Sequence, residues 1–385
     1  MPDRTDLPPW LWPRGAYVHV PFCAHHCGYC DFAVAAGQDH LIELYLEALG
    51  EELARTSNPS TVDTIFIGGG TPTYLSARQL QRLFSSVTRW LPLRAGGEFS
   101  VEATPESITD DKVAELADHG VTRVSLGVQS FAPRTLSELD RIHSPHHVGR
   151  ALDQIRLRID NVSLDLIFGV PGQTLRDWES DLASALAFCP DHISTYGLTY
   201  EKGTPLWKRR QHGHVQAVSE GDELAMYMAA MDRLANAGFE QYEISNFARP
   251  GRRCRHNETY WANEAYFGFG VGAARYVLRR RELNRRSTDD YIRRILSGEP
   301  ATWQSEELSP EETARETAAV QLRRSSGIAR DRFLIQTDYD LDAIACGRIA
   351  GYVVEGLLID DGESIRLTRR GRCVADAVVV KVVWG

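Results

Sequence analysis

Short apolar segments rich in β-branched residues alternate, over the first 240 residues, with longer segments whose apolar positions repeat at helical spacing. Leu41, Leu44, Tyr45 and Ala48 show that spacing, since positions i, i+3, i+4 and i+7 share one helix face. The predicted strands are Ala16–Val20, Val62–Ile67, Glu98–Ala103, Thr122–Val128, Val162–Phe168 and His192–Leu198. The predicted helices cover residues 38–55, 76–90, 109–119, 146–158, 174–188 and 219–237. This alternation is typical of parallel βα units.

Six βα units can form either an open doubly wound sheet or a partial barrel. Unusual residues end nearly every predicted strand, as Gly68–Pro72 and Glu102 illustrate. A barrel gathers all its strand ends at one mouth, whereas a doubly wound sheet concentrates its ligand at one switch point. The even distribution therefore predicts an α/β fold with a partial, TIM-like (β/α)6 barrel over residues 1–240.

The pattern changes after Leu296. The predicted elements are a helix at Pro310–Arg324, a short helix near Leu341–Ile349, a hairpin over Gly356–Thr368 with Asp361-Gly362 as its turn, and a helix within Gly371–Val383. Their order predicts a small α+β domain of winged-helix type at residues 300–385, with a packing role rather than DNA binding. Residues 241–299 are assigned to a connecting region between the two domains.

The charge distribution is uneven. The chain has a formal net charge of −9, yet residues 201–299 contain 17 Lys and Arg against 13 Asp and Glu. The basic clusters are Lys208–Arg210, Arg252–Arg253, Arg279–Arg281 and Arg285–Arg286. Two interpretations stay open, a solvated face or a local attraction for an anion with several carboxylates. We expect no nucleic-acid binding, because the clusters lack interleaved aromatic residues and the whole chain is acidic.

Targeting signals and cysteine usage indicate the compartment. No apolar run reaches the roughly 18 residues of a membrane span. Residues 1–14 lack the apolar core of a secretory signal. The chain has seven cysteines, an odd number, of which three lie within eight residues, so a disulfide framework is not expected. The protein is therefore predicted to be cytoplasmic. A weak membrane association and the oligomeric state stay open.

Cys23, Cys27 and Cys30 follow the first predicted strand with the spacing Cys-x3-Cys-x2-Cys. Three thiolates on one loop can hold a single compact inorganic centre. Zinc is one candidate, with His25 or His26 completing a Cys3His site. A [4Fe–4S] cluster is the other, in which three cysteines leave one iron open. The isolated cysteines, each interpreted as a small buried residue, are Cys189, Cys254, Cys346 and Cys373.

This cysteine spacing, with Tyr29 before the last cysteine and Gly68–Pro72 after the second strand, resembles the radical S-adenosylmethionine (SAM) superfamily. The resemblance implies a [4Fe–4S] cluster and SAM as cofactors. Within the superfamily, the stretch from Tyr17 to about Trp261 resembles the coproporphyrinogen dehydrogenase group. The matching segments are Tyr17–Cys23, Gly68–Thr73, Val101–Pro105, Gly127–Phe131 and Asp165–Gln173.

The resemblance assigns binding residues position by position, with the three cysteines as the metal ligands. The residues implied to bind the cluster-ligated SAM are Tyr17, Gly69 and Glu102. The residues that match positions for a second SAM are Tyr29, Gly70, Thr71, Gln129, Arg141 and Asp165. Carboxylates can accept hydrogen bonds from an ammonium group or ribose hydroxyls, and Arg141 can pair with a carboxylate through two bonds. The alternative for Glu102 and Asp165 is solvation of a strand end.

Two departures resemble a particular branch of this group, the HemW haem chaperones. Phe32 occupies a position where the dehydrogenase has a further cysteine, and sixteen residues precede Tyr17, fewer than in the dehydrogenase. The branch implies that the chain binds haem, delivers it to acceptor proteins and has no dehydrogenase activity. The alternative is an oxygen-independent coproporphyrinogen III dehydrogenase.

A third feature points to the same branch. His256-Asn257-x2-Tyr260-Trp261 matches a signature of it, which makes His256 a candidate haem ligand, since histidine is a common axial ligand of haem iron. The alternative for His256 is a hydrogen-bonded structural corner.

Overall fold

The structure is a computed structural model that describes residues 6–56 and 58–385, so the first five residues of the segment searched for a secretory signal lie outside it. The strands are β1 Gly15–Val20, β2 Phe22–Cys23, β3 Ala35–Ala36, β4 Val62–Gly69, β5 Leu93–Ala103, β6 Arg123–Gln129, β7 Asn161–Phe168, β8 His192–Gly197, β9 Glu240–Gln241, β10 Asn246–Ala248, β11 Tyr266–Phe269, β12 Ala274–Val277, β13 Arg280–Asn284, β14 Thr302–Glu307, β15 Ile328–Ala329, β16 Leu358–Asp360 and β17 Ser364–Leu367. The helices are α1 Ile42–Ala54, α2 Ala77–Trp90, α3 Asp110–Asp118, α4 Pro133–Glu138, α5 Pro145–Arg156, α6 Leu175–Ala187, α7 Pro205–Gln211, α8 Glu220–Asn236, α9 Arg255–Trp261, α10 Thr288–Leu296, α11 Pro310–Gln321, α12 Arg330–Thr337, α13 Leu341–Ala345, α14 Ile349–Val354, α15 Arg369–Arg372 and α16 Ala375–Val383. None of these described helices combines the length and the apolar character needed to cross a bilayer.

Six parallel strands form the centre of the main sheet in the order β1-β4-β5-β6-β7-β8, which is also their order in the chain. A doubly wound sheet would reverse this order at a switch point. Here every crossover advances in the same direction, so the carboxyl ends of the six strands meet at one mouth. The predicted partial (β/α)6 barrel is confirmed.

The helix α2 shows why the predicted elements form where they do. Ser76 caps its start, because the hydroxyl accepts a hydrogen bond from Gln79 N and the Gln79 side chain accepts one from Ser76 N at 3.0 Å. The apolar face of α2 packs on the sheet, with the Phe84 ring edge-on to Phe99 at 5.7 Å between centroids. The polar face stays in solvent, so periodicity and capping define the same helix.

The predicted connecting region also contributes to the main sheet. β11 pairs in parallel with β1, Gly15 lying opposite Tyr266, and β12 and β13 continue the sheet in antiparallel order. β14, which falls within the predicted C-terminal domain, pairs with β13 and extends the same sheet. β10 pairs with β8, so both edges of the barrel sheet are extended. Phe269 and Tyr291 are buried in the same core as the barrel strands. These strands have two to six residues, too few for periodicity to reveal them.

The C-terminal unit has a separate core. Its three-stranded sheet has the order β15-β17-β16, and Phe333, Ile365 and Val382 are among its buried residues. The hairpin turn lies at Asp361-Gly362 as predicted, with the Asp361 carboxylate accepting from Ser364 N at 2.7 Å. Helix α12 was not anticipated, and the predicted closing helix is split into α15 and α16. The small α+β unit is confirmed, whereas the three domain boundaries stay a prediction.

Candidate cluster and cofactor site

The three clustered cysteines lie on one loop at the barrel mouth. β2 and β3 pair in parallel, with Phe22 opposite Ala35, and close this loop at its base. All three cysteines are free thiols; Cys27 is buried, and Cys23 and Cys30 are half-buried. Cys30 N donates to Cys27 O at 3.2 Å, which keeps these two residues in one turn of the loop.

Two of the sulfur atoms accept hydrogen bonds from the barrel. The Thr71 hydroxyl donates to Cys23 Sγ at 3.6 Å, and Arg141 Nη1 donates to Cys27 Sγ at 3.6 Å. Burial raises the pKa of Cys23 to about 12 and that of Cys30 to about 11, so both thiols keep their protons until a metal displaces them. Three sulfur ligands with hydrogen-bond donors aimed at them fit a [4Fe–4S] cluster.

The two histidines of the loop contact backbone carbonyls, and one of them also contacts a cysteine. His26 Nε2 lies 3.0 Å from the Cys30 carbonyl. His25 Nε2 makes a short hydrogen bond with the Asp140 carbonyl and lies 3.6 Å from Cys27 Sγ. Within residues 6–56 and 58–385, no three or more His, Cys, Asp and Glu side chains are arranged around a single metal ion. This holds for the three cysteines as well, so the arrangement of these side chains does not by itself choose between zinc and a [4Fe–4S] cluster.

The glycines at the end of β4 are required by contacts with the protein itself. Gly69 has a φ of +113°, and a Cβ there would lie about 2.5–2.7 Å from the His19 ring. A Cβ on Gly70 would lie 2.6 Å from Pro21 O and 2.8 Å from Cys23 Sγ. The end of β4 thus passes directly beneath the cysteine loop, where a side chain would displace the loop.

The residues implied to bind the first SAM lie together. Gly69 N donates to Glu102 Oε2 at 2.9 Å. Burial, followed by the charge of Glu102, raises the pKa of Tyr17. Burial also raises the pKa of Glu102 to about 7, against the opposing bond from Gly69 N. A carboxyl group whose pKa is raised in this way can lose its proton when a cation binds beside it. Perturbed pKa values of this kind cluster at functional sites. The assignment itself stays a prediction.

Arg141, Gln129 and Tyr29 surround the same loop. Arg141 Nη2 donates to Gly127 O at 2.6 Å, besides its bond to a cysteine sulfur. Gln129 has a left-handed φ of 63° where the β6–β7 register shifts, and such an irregularity re-aims a side chain. Burial raises the pKa of Tyr29, and the nearby Arg141 charge opposes the increase. These three candidates are therefore brought to the mouth together.

Asp165 lies among hydroxyl groups inside the barrel. Its carboxylate accepts hydrogen bonds from Ser194 at 2.7 Å, Ser125 at 3.0 Å and Ser163 at 3.3 Å. Burial raises the pKa of Asp165, and the Ser194 bond is the largest opposing contribution. Asp165 is half-buried, so serine hydroxyls rather than solvent alone satisfy its carboxylate, and its assignment to a second SAM stays a prediction.

The barrel interior contains further polar residues that the sequence argument missed. His192 Nε2 lies 2.8 Å from the Tyr242 hydroxyl, and its Nδ1 lies 2.8 Å from the Ser163 hydroxyl. Arg123 lies beside this group and is only 1% exposed. Polar residues at every second position of a strand, as in Glu98-x-Ser100-x-Glu102, could have indicated a polar barrel interior, because alternate side chains share one face of the sheet. The sequence prediction used only the residues at the strand ends.

His256 closes the opposite end, the floor of the barrel. The Glu98 carboxylate accepts from Arg255 N at 2.8 Å and from His256 N at 3.2 Å, at the start of α9. The His256 side chain is 1% exposed; its Nδ1 lies 2.9 Å from the Thr64 hydroxyl and its Nε2 2.9 Å from the Tyr260 hydroxyl. Haem ligation needs a free nitrogen facing an open space. In this structure His256 forms the hydrogen-bonded corner, and its assignment as a haem ligand stays a prediction.

The basic clusters beyond residue 250 are largely neutralised. The ion pairs there include Arg252–Asp191, Arg253–Glu240, Arg281–Glu316, Arg285–Asp290 and Arg286–Asp31. The interpretation as a solvated, ion-paired face therefore applies to them. In the remaining cluster only Arg209 forms an ion pair with another described residue, at 2.9 Å from Glu138.

The isolated cysteines differ in burial. Cys254 is buried as expected, and Cys373 is half-buried. The expectation is wrong for Cys189 and Cys346, which are exposed. Each follows a helix with a left-handed φ of 49°, and this conformation leaves the side chain outside the core.

The open barrel and its three-cysteine loop define a radical SAM protein. The Radical SAM superfamily matches residues 17–185, and the HemN C-terminal domain matches residues 308–374. The protein named Heme chaperone HemW of Bacillus subtilis (strain 168) is 36% identical over 95% of this chain and 98% of its own length. That of Mycobacterium tuberculosis is 37% identical over 95% and 94%. The chain belongs to the HemW family.

Two further similarities cover most of the chain. The mouse protein named Radical S-adenosyl methionine domain-containing protein 1, mitochondrial, is 32% identical over 95% of this chain and 86% of its own length. The solved structure of coproporphyrinogen III oxidase (HemN) from Escherichia coli, a radical SAM enzyme, superposes with a TM-score of 0.85 at 22% identity, over 97% of this chain and 91% of that one. The second similarity establishes a shared fold from the barrel to the C-terminal unit.

Proposed function

We propose that this protein is a haem chaperone, which binds haem and delivers it to acceptor proteins. The observation that carries the proposal is the similarity to relatives named as haem chaperones, which extends over 95% of the chain rather than over the barrel alone. The radical SAM core is retained, because the three-cysteine loop and the SAM candidates lie together at the mouth.

The cofactors have defined places in this proposal. Cys23, Cys27 and Cys30 would hold a [4Fe–4S] cluster, and Tyr17, Gly69 and Glu102 would hold the first SAM. When bound, these groups supply one-electron chemistry. The protein orients them: Thr71 and Arg141 donate to cysteine sulfur atoms, and the Glu102 carboxylate is held by Gly69 N beneath the loop. The six candidate residues for a second SAM are proposed to bind it at the same mouth of the barrel.

The alternative, coproporphyrinogen III dehydrogenase, is disfavoured by a residue of the cluster loop, two positions after its third cysteine. The Phe32 side chain is 63% exposed at the position where the dehydrogenase group has a further cysteine. A phenyl ring offers neither a metal ligand nor a transferable hydrogen. The similarity to solved HemN, at 22% identity, concerns the fold.

A titration of anaerobically reconstituted protein with ferric haem tests the proposal. We expect a saturable Soret band, followed by transfer of the haem to an apoprotein such as apomyoglobin. In parallel, coproporphyrinogen III is incubated with SAM and a reductant, and no protoporphyrinogen should form. Absence of saturable haem binding, or conversion of the porphyrinogen, would contradict the chaperone function.

A further inference from the structure

The barrel interior encloses a cation with few partners. Arg123 lies at the start of β6, opposite Ser100 of β5 and Asn161 of β7, and is 1% exposed. Its Nε and Nη1 atoms are buried and hydrogen-bond to no other described residue. A charge is costly to bury without such partners, so packing alone does not account for this guanidinium.

The third nitrogen of Arg123 connects it to Asp165. Arg123 Nη2 donates to His192 Nδ1 at 3.4 Å, and that ring nitrogen also lies 2.8 Å from the Ser163 hydroxyl. The Ser163 hydroxyl in turn donates to Asp165 Oδ1 at 3.3 Å. Arg123, His192 and Ser163 are all buried. A continuous path of polar contacts therefore leads from the guanidinium to the carboxylate, away from solvent.

The middle member of this path, His192, is fixed in one tautomer. A guanidinium can only donate, so Nδ1 accepts and the ring hydrogen lies on Nε2. Nε2 donates to the Tyr242 hydroxyl at 2.8 Å. Burial, followed by the charge of Arg123, lowers the pKa of His192 well below its usual value, so the ring stays neutral. With both nitrogens engaged, the ring holds Ser163 in a defined position relative to Arg123.

The charge of Arg123 acts on two carboxylates of the candidate site. Burial raises the pKa of Asp165, and the Ser194 bond and the Arg123 charge, in that order, oppose the increase. Burial also raises the pKa of Glu102 to about 7; the bond from Gly69 N is the largest opposing contribution, and the Arg123 charge adds to it. Both carboxylates therefore depend on this cation for part of their ionisation.

The other titratable groups that face Asp165 or Arg123 do not replace this cation. They come from the cluster loop, β5, β8 and the segments before β10 and α9, and they are Tyr29, Glu98, Glu102, His192, Tyr196, Tyr242 and Cys254. Burial raises the pKa of the three tyrosines and of the cysteine, so these groups are neutral at pH 7. The carboxylates of this group outnumber the cation, and a surplus of negative charge suits SAM, which carries an ammonium and a sulfonium group.

We propose that Arg123 is a positioning residue for Asp165: it orients the carboxylate through His192 and Ser163 and supplies the buried positive charge that balances it. An ionised and oriented Asp165 can accept hydrogen bonds from the ammonium group or the ribose hydroxyls of SAM. This inference rests on the proposed function, in which Asp165 contributes to the site of a second SAM. It adds a residue from inside the barrel, below the mouth.

Equilibrium dialysis with radiolabelled SAM tests this role in the full chain, reconstituted anaerobically with its cluster. The wild type should bind two SAM molecules per chain. Arg123→Met should weaken binding of the second about tenfold or more near pH 6.5 and recover towards the wild type by about pH 8.5, because the higher pH removes the proton that the missing cation no longer disfavours. Arg156→Met is the matched control and should bind as the wild type does, since Arg156 Nη2 donates to the backbone carbonyls of Phe188 and Cys189.

Two further variants separate the charge from the orientation. Arg123→Lys keeps the charge, so any loss of affinity should be the same at every pH. Ser163→Ala keeps the guanidinium and breaks the contact with Asp165, so it should weaken binding of the second SAM about threefold across the pH range. Denaturant unfolding shows whether each variant is folded. If Arg123→Met does not fold, these two variants decide, and wild-type affinity in both would overturn the proposal.

The results distinguish this inference from the proposed function. If the wild type binds two SAM molecules and Arg123→Met binds both with wild-type affinity at each pH, the role of Arg123 is wrong while the proposed function stands. A loss in Arg123→Met that is equal at every pH, and that Arg123→Lys shares in full, would show a merely structural effect and would also overturn the inference. If the wild type binds one SAM only, the second site in the proposed function falls, and this inference falls with it.

Discussion

The floor and the rim of the barrel use histidine in opposite ways. At the floor, both nitrogens of His256 are hydrogen-bonded, and the ring packs on Phe66 with 5.3 Å between centroids. At the rim, His212 commits one nitrogen to a carbonyl and leaves the other in solvent. The comparison teaches that a histidine is available to a ligand only where neighbouring groups leave one of its ring nitrogens without a hydrogen bond.

The largest effect at the mouth is expected from Cys27→Ser. Serine cannot replace a thiolate in holding a [4Fe–4S] cluster, so iron and sulfide content and visible absorption after anaerobic reconstitution should fall to background. Cys346→Ser, an exposed cysteine outside the loop, is the control and should load fully. Full iron and sulfide content in the Cys27 variant would contradict the assignment of the cluster.

Gly70→Ala should damage the same loop by steric contact. The new methyl group would lie 2.6 Å from Pro21 O and 2.8 Å from Cys23 Sγ, so the loop must move. We expect a marked loss of cluster loading, measured as iron bound per chain. Gly50→Ala is the control, because its methyl group would meet only Ser86 Oγ at 3.9 Å and Ala favours the helix by up to about 1 kcal/mol. Equal loading of the two variants would show that the close approach is unimportant.

At the floor, His256→Ala should act on stability rather than on haem. The change removes two buried hydrogen bonds and the ring stacked on Phe66, which together are worth about 2–4 kcal/mol of unfolding free energy. Denaturant unfolding measures this loss, and a haem titration of the folded variant should match the wild type. A stable variant that has lost its Soret band would restore His256 as a ligand and reverse the comparison between floor and rim.

The smallest effect is expected in the pH dependence of stability near Glu102. Burial raises the pKa of this group from 4.5 to about 7, so between those values the folded state holds more protons than the unfolded state. The free energy of unfolding contributed by Glu102 therefore falls as the pH rises from 4.5 to 7. Glu102→Gln should remove that slope in cofactor-free protein, as followed by denaturant unfolding at several pH values. Parallel curves for the two proteins would show that Glu102 does not titrate in this range.

Much of the fold was predictable because its signals are local. The helix predicted at 76–90 begins at Ala77, one residue later, with Ser76 as its cap. It was predictable because the cap and the apolar face both depend on residues that are neighbours in the sequence. The candidates at the strand ends were also found, since parallel strands that advance in one direction bring their ends to one mouth. The pairing of β11 with β1 was not, because a four-residue strand has no period of its own and depends on a partner far along the chain.

By itself, the sequence determined the alternation of strands and helices and the spacing of the three cysteines. It also indicated the HemW branch, through Phe32 and the segments that resemble the coproporphyrinogen dehydrogenase group. These depend on residues close in the chain or on direct likeness. Only the tertiary structure decided that His256 is buried and saturated, that Asp165 is held by three serines, and that His212 is exposed. The physical reason is that hydrogen-bond saturation, burial and charge pairing are set by groups distant in sequence, which periodicity cannot count.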